Sequence, residues 1–191
     1  MITTKSELKR YLAIEKAFYL PARRNLEWRL TSDNNYKMYQ YVRILRKTEY
    51  YYNTRKFPIR KVLYGLYRRR RNILGRKLGL ELWENTFACG LKMAHAGNIV
   101  VNGRSRIGEN CYFHGNNCIG NDGLSSEAPR LGNNVRLGVG AKVIGDVELA
   151  DNIIVAAGAV VVHSCNIKGA VLAGIPAKVV KIREENNLEA Y

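Results

Sequence analysis

The chain has 191 residues, long enough to bury a sizeable core, and its 47% hydrophobic content excludes a largely disordered polypeptide. The formal charge of +15 is unevenly spread: residues 1–80 carry 21 basic and 5 acidic side chains, residues 81–191 carry 10 and 11. The longest uncharged apolar stretch, Ile153–Val162, is too short for a bilayer span, and Met1-Ile2-Thr3-Thr4-Lys5 lacks the apolar core of a secretory signal, so a cytoplasmic placement is expected.

Thr4-Lys5-Ser6-Glu7 has the spacing of a capping box, and Leu8, Tyr11, Leu12, Ala17 and Phe18 follow near helical spacing, with a stop expected at Pro21. Ser32-Asp33-Asn34-Asn35 opens a second helix whose stripe is Met38, Tyr41, Val42 and Leu45. Pro58 suits the first turn of a third, with Val62, Leu63, Leu66, Ile73 and Leu74 as its stripe and Gly75 and Gly79 at its end. Residues 1–79 therefore read as a basic helical region. Within it, Arg68-Arg69-Arg70-Arg71 is the densest charge run. It suits either a solvated helix face or an anionic partner: a membrane surface, a lipid-linked acidic glycan or a phosphorylated ligand. No zinc-finger or RNP-type signature accompanies it, so nucleic acid is not expected.

After residue 80 the pattern changes. Of the 17 glycines, 14 lie in this part, and steps of six from Leu131 land on Leu137, Val143, Leu149, Val155, Val161 and Ile167. Positions four further on are Val135, Ala141, Val147, Ile153, Ala159, Cys165 and Val171. Backward steps miss at Ser125 and recover Ile119, Phe113 and Ile107. A six-residue period fits neither a helix nor a simple strand; it is the signature of a parallel β-helix in which each short strand turns one aliphatic side chain inward. Asn133-Asn134, Gly145-Asp146 and Asp151-Asn152 supply turns that tolerate positive φ. The polar stretch Asn121–Arg130 is expected to leave a corner as a loop without disturbing the phase.

The segments Gly90–Val101 (GLKMAHAGNIVV), Ile107–Cys111 (IGENC) and Ala173–Lys181 (AGIPAKVVK) resemble hexapeptide-repeat acyltransferases, and most of all serine acetyltransferases and their relatives encoded with polysaccharide biosynthesis genes. The resemblance covers about residues 35–182. It implies a mainly β fold: a left-handed parallel β-helix over residues 80–180, preceded by the small helical region and followed by a tail at 181–191. It implies a homotrimer, which the helices could double into a dimer of trimers, with acetyl-coenzyme A and acceptor meeting between subunits. His95 falls at the family's catalytic histidine, where an imidazole of ordinary pKa about 6.5 suits removal of a hydroxyl proton. Glu81 aligns with the partner carboxylate once one residue is deleted, with Glu84 as substitute, and His114 follows about one coil on, placed to contact the acceptor or the thioester carbonyl. The donor groove falls to Val139, Gly140, Ala157, Gly158, Val162 and His163, with Lys178 and Lys181 near the adenosine phosphate.

Two departures bear on the acceptor. The aspartate that precedes the family's catalytic histidine is Ala94 here, and the histidine of its extruded loop is Ala128. Both point away from serine, so a sugar or glycan hydroxyl of surface polysaccharide synthesis is the expected acceptor, and peripheral attachment at the inner membrane face would suit that task. Serine O-acetylation for cysteine synthesis is the alternative, disfavoured further by the terminal Tyr191; a catalytically silent, membrane-recruited assembly module is a second. With His95, His114 and His163 so far apart in sequence, no metal is expected, and Cys111 and Cys165 fall on inward positions.

Overall fold

The computed structural model describes residues 1–20 and 25–184; Pro21, Tyr191 and the tail beyond residue 184 lie outside them. The first helix, α1 (Lys5–Tyr19), starts at the Thr4 capping box, where the Glu7 carboxylate accepts the backbone N–H groups of Thr3 and Thr4 and is held down to a pKa of about 2 by them. A short α2 (Asn25–Leu30), not foreseen in the sequence, precedes α3 (Asn34–Asn53), whose cap Asp33 accepts from Asn35 N at 2.8 Å. Pro58 opens α4 (Pro58–Leu78). Gly79 closes it in the left-handed conformation, so the helix runs through Gly75, whose missing side chain is a requirement: a Cβ there would stand 2.5 Å from Leu80 O.

The stripe expected for α3 is buried as read; those of its neighbours are so only in part, with Tyr11 buried and Leu8, Leu12, Leu63 and Leu74 half-buried. In α1 the buried line is Tyr11, Glu15 and Tyr19, with Ala17 and Phe18 exposed; in α4 it is Arg71 and Gly75, with Val62, Leu66 and Ile73 exposed. The cause is what the helices cover. They cap the first turn of a β-helix, whose backbone polar groups would otherwise be buried without partners. Tyr19 Oη accepts from Met93 N (2.8 Å), Tyr41 Oη accepts from Leu82 N (3.3 Å), and Arg46 donates to Phe87 O (2.9 Å) and Ala88 O (2.6 Å). Polar side chains do much of this work, so hydrophobic spacing alone finds only part of the buried face.

The β-helix follows in stacked three-sided coils. The first holds β1 (Leu80–Glu81), a bridge at Phe87, and β2 (Lys92–Met93); the second β3 (Ile99–Val101), β4 (Arg106–Ile107) and β5 (Tyr112–Phe113). Next come β6 (Cys118–Gly120), β7 (Arg130–Leu131) and β8 (Arg136–Leu137), then β9 (Lys142–Ile144), β10 (Glu148–Leu149) and β11 (Ile154–Val155). The last coil has β12 (Val160–Val161), a bridge at Cys165, and β13 (Ala170–Gly174), after which β14 (Ala177–Ile182) folds back antiparallel on β13. Face A is β1-β3-β6-β9-β12, face B β4-β7-β10, and face C β2-β5-β8-β11-β13-β14. Leu137, Val143, Leu149, Val155 and Val161 all point into one continuous core that extends from Tyr41, Val42 and Leu45 of α3.

The loop expected at Asn121–Arg130 leaves the phase intact. Ile119 pairs with Val143, 24 positions on, where Val143 and Val161 are 18 apart; the insert adds one whole six-residue unit. Within the stretch from Ile107 onward the period fails at its end. Leu149 bridges to Cys165, 16 positions on, so Cys165 takes the inward place expected of Ile167, which is 45% exposed.

Candidate active site

His95 lies on the corner between face C and face A, and that corner is unusual. Met93 pairs with Phe113 and Val101 with Ile119, so eight steps separate Met93 from Val101, against six from Phe113 to Ile119. The same corner takes six steps in the next two coils, from Leu137 to Val143 and from Val155 to Val161. The two extra residues carry the His95 ring out to solvent.

Above it the corner carries a column of glycines beside the side chains of Val139 and Ala157. Gly115 lies directly over His95, close enough that a Cβ would sit 3.7 Å from the His95 Cβ, and its φ of 116° favours glycine. Gly140 N donates to Gly115 O (3.0 Å), and Gly158 N donates to Val139 O (2.8 Å), so Val139-Gly140 and Ala157-Gly158 continue the column. The result is a glycine-lined strip, edged by Val139 and Ala157, with His95 at one end.

Asn117 holds this column in place. It is buried at a position where the repeat otherwise has Ala141 or Ala159, and its Oδ1 accepts from Gly115 N (3.0 Å) while Nδ2 donates to Gly138 O (2.8 Å) and Ala141 O (3.2 Å). A lone asparagine at a small apolar position of the period was the available signal, and hydrophobic counting passed over it.

His114 is half-buried beside the column. Its ring lies 4.5 Å from that of Tyr112, which meets Phe18 of α1 at 5.7 Å. Its pKa is lowered, first by burial, then by the charges of His95 and Arg136. Since the unfolded value is about 6.5, the folded protein binds fewer protons than the unfolded chain between the two values, so this histidine makes stability fall as the pH drops through that interval. An NMR titration is expected to report a His114 pKa below that of a free imidazole, and His95→Ala is expected to move it up; an unmoved value would show that the two rings do not sense each other.

Glu81 sits elsewhere. It is exposed on β1, paired in register with Val100, and lines a cavity of about 380 Å³ with Tyr41, Arg71, Arg76, Trp83 and Asn98. Among the described residues no hydrogen bond or ion pair joins it to His95. Glu84 is committed to Arg71 at 2.9 Å, both side chains buried, with the guanidinium 5.4 Å from the Trp83 ring. Val162 and His163 follow β12 at the opposite edge of face A from the glycine column, and Lys178 and Lys181 are exposed on β14. Cys111 is in the core, where burial pushes its thiol up to about 12, far from a reactive thiolate.

The stacked hexapeptide coils and the helical cap on their first turn define a class, the hexapeptide-repeat acetyltransferase fold with its left-handed parallel β-helix. Within that fold the chain is similar in sequence and shape to serine acetyltransferases. No family model matches it. A serine acetyltransferase of Synechococcus elongatus is 28% identical over 131 residues, which are 63% of this chain and 53% of that protein, so the chain spans about half the length of this relative. The crystal structure of a serine acetyltransferase from Brucella abortus strain S19 superposes with a TM-score of 0.74 at 17% identity, covering 94% of this chain and 71% of that one. The same enzyme in complex with coenzyme A gives 0.73 at 20% identity, covering 94% and 70%. At these identities the structural likeness carries the fold.

Proposed function

We propose that the chain transfers an acetyl group from acetyl-coenzyme A to a hydroxyl, with His95 as general base. The observation that carries this reading is His95 itself: an exposed imidazole on a lengthened corner, at the end of a glycine-lined strip on which an extended thioester arm could lie. The hydroxyl proton passes to the imidazole as the oxygen attacks the acetyl carbonyl; the C–O bond forms, the C–S bond breaks, and the departing sulfur takes a proton. His114, kept neutral at neutral pH by its lowered pKa, is available to hydrogen-bond the acceptor or the thioester carbonyl. Val139, Gly140, Ala157 and Gly158 flank the arm; Val162, His163, Lys178 and Lys181 belong to the same proposal, with the two lysines opposite the adenosine phosphate. The reading includes a cytoplasmic homotrimer in which adjoining subunits close the cleft, and there Glu81 is the carboxylate proposed to orient His95.

As acceptor, the comparisons back serine, the amino acid named in the relatives' activity, over the glycan hydroxyl expected from the sequence. Ala94 and Ala128 favour the second reading, a sugar hydroxyl, because neither can hold an amino acid's ammonium or carboxylate; Ala128 is moreover buried. An acceptor screen followed by thiol release separates them. Release with L-serine is the expected result; release with sugars and not serine moves the acceptor to the second reading. No release with any acceptor, together with no coenzyme A binding by calorimetry, would leave a silent assembly module.

A further inference from the structure

The helix α4 has 21 residues, which makes it about 30 Å long. One side packs on α3 and β1 through Leu63, Tyr64, Tyr67, Arg71 and Gly75. At roughly 100° per residue, Ile59, Val62, Leu66 and Ile73 fall in one arc on the opposite side, and they are 37–64% exposed. Arg69 and Arg76 border this arc on one side, and Arg70 and Lys77 on the other. The helix contains eight basic residues and no acidic one, and among the described residues only Arg71 of the eight makes an ion pair. Beside the arc is a hollow of about 380 Å³ lined by Gly65, Arg68, Arg69, Asn72, Ile73 and Arg76. Its floor is Gly65, around whose absent side chain nothing lies within 4 Å.

We infer that this outward face of α4 docks the protein flat on an anionic lipid bilayer, with the apolar arc in the headgroup–acyl boundary and the hollow's guanidinium groups on lipid phosphates. The pairing of features selects the occupant. A second copy meeting the same face would press two cationic borders together with no carboxylate between them. A soluble polyanion would satisfy the arginines and leave the aliphatic arc in water. An anionic bilayer surface satisfies both at once. No described helix is long and apolar enough to cross a membrane, so the contact lies in the interface plane. The inference does not depend on the acetyl-transfer reading, since it uses none of the same residues.

The test is sedimentation of the full chain with vesicles of phosphatidylcholine alone or mixed with phosphatidylglycerol. Binding is expected to be at least about tenfold tighter to the mixed vesicles and to weaken as salt rises. Leu66→Ser, an exposed change that leaves the charge untouched, is expected to reduce it about fivefold or more, with the circular dichroism spectrum and thiol-release activity unchanged. Equal partition onto both vesicle types would overturn the inference. So would binding indifferent to Leu66→Ser, which indicates bare charge attraction, or sedimentation equilibrium showing self-association that the same substitution abolishes.

Discussion

Replacing His95 with alanine is expected to slow acetyl transfer by about 10²–10⁴-fold, the range lost when a positioned general base is removed, while coenzyme A binding stays near normal. The structure makes this a clean experiment. The ring is exposed and makes no hydrogen bond among the described residues, so its loss there opens no cavity and orphans no buried partner. The backbone of the proposed donor strip is held by Asn117 and the ladder from Gly115 to Gly158, none of which involves the His95 side chain. Thiol release measures the rate and calorimetry the donor affinity. Near-normal turnover would remove the base assignment; a matching loss of coenzyme A binding would show that the ring positions the donor instead. Glu81→Gln adds a discriminating comparison. If the carboxylate orients His95 within an assembled cleft, the pH profile of the rate shifts together with its height; if Glu81 only lines the cavity beside α4, the profile keeps its shape.

Residues differ in how far sequence shows their role. The inward aliphatics of the coils could be read directly because each repeats the environment of the residue one coil away, so a single inference applies many times over. The loop at Asn121–Arg130 was legible for the same reason: an insert of one full unit restores every side chain to its face. Ile167 was misread where the environment stops repeating, at the last coil. The helical cap was misread in part, for a different reason. Glu15 and Arg71 look like surface residues, yet they are buried because each meets an opposite charge that lies far away in sequence, Arg46 for one and Glu84 for the other. His95 was found by resemblance, but the two-residue lengthening that presents it emerges only when its corner is compared with those stacked above. Of the proposed donor strip, Val139, Gly140, Ala157 and Gly158 were legible through the resemblance; Gly115, which stands over His95, was not, because it lies 25 positions before Gly140 and so out of the six-residue phase.

Arg46→Leu is expected to cost about 3–5 kcal/mol of stability, the usual penalty for leaving buried carboxylates without their cation, and to lower the melting midpoint by on the order of 10 °C. Arg46 is completely buried, with Glu15 Oε1 at 2.6 Å and Glu49 Oε2 at 3.2 Å. Desolvation works against its charge, yet the two carboxylates outweigh this and raise its pKa. The group is more than an ion cluster, because its outer hydrogen bonds go to backbone: Arg46 serves Phe87 O and Ala88 O, Glu15 Oε1 accepts from Leu91 N at 3.3 Å, and Glu49 Oε1 accepts from Ile2 N at 3.0 Å. That distinction is measurable. Were the cluster only a set of paired charges, replacing Glu15, Arg46 and Glu49 together by leucine would recover most of the loss, as buried ion pairs elsewhere often permit. Here the triple variant still leaves four backbone groups of the first coil and the N-terminus without partners, each costing about 1–3 kcal/mol when buried, so it is expected to remain well below the parent in urea unfolding. Full recovery would mean that apolar contact and the Tyr19 and Tyr41 hydrogen bonds hold the β-helix without the Arg46 cluster. Persistent loss would instead identify the helical region as a polar cap, holding the coil from which the His95 corner springs.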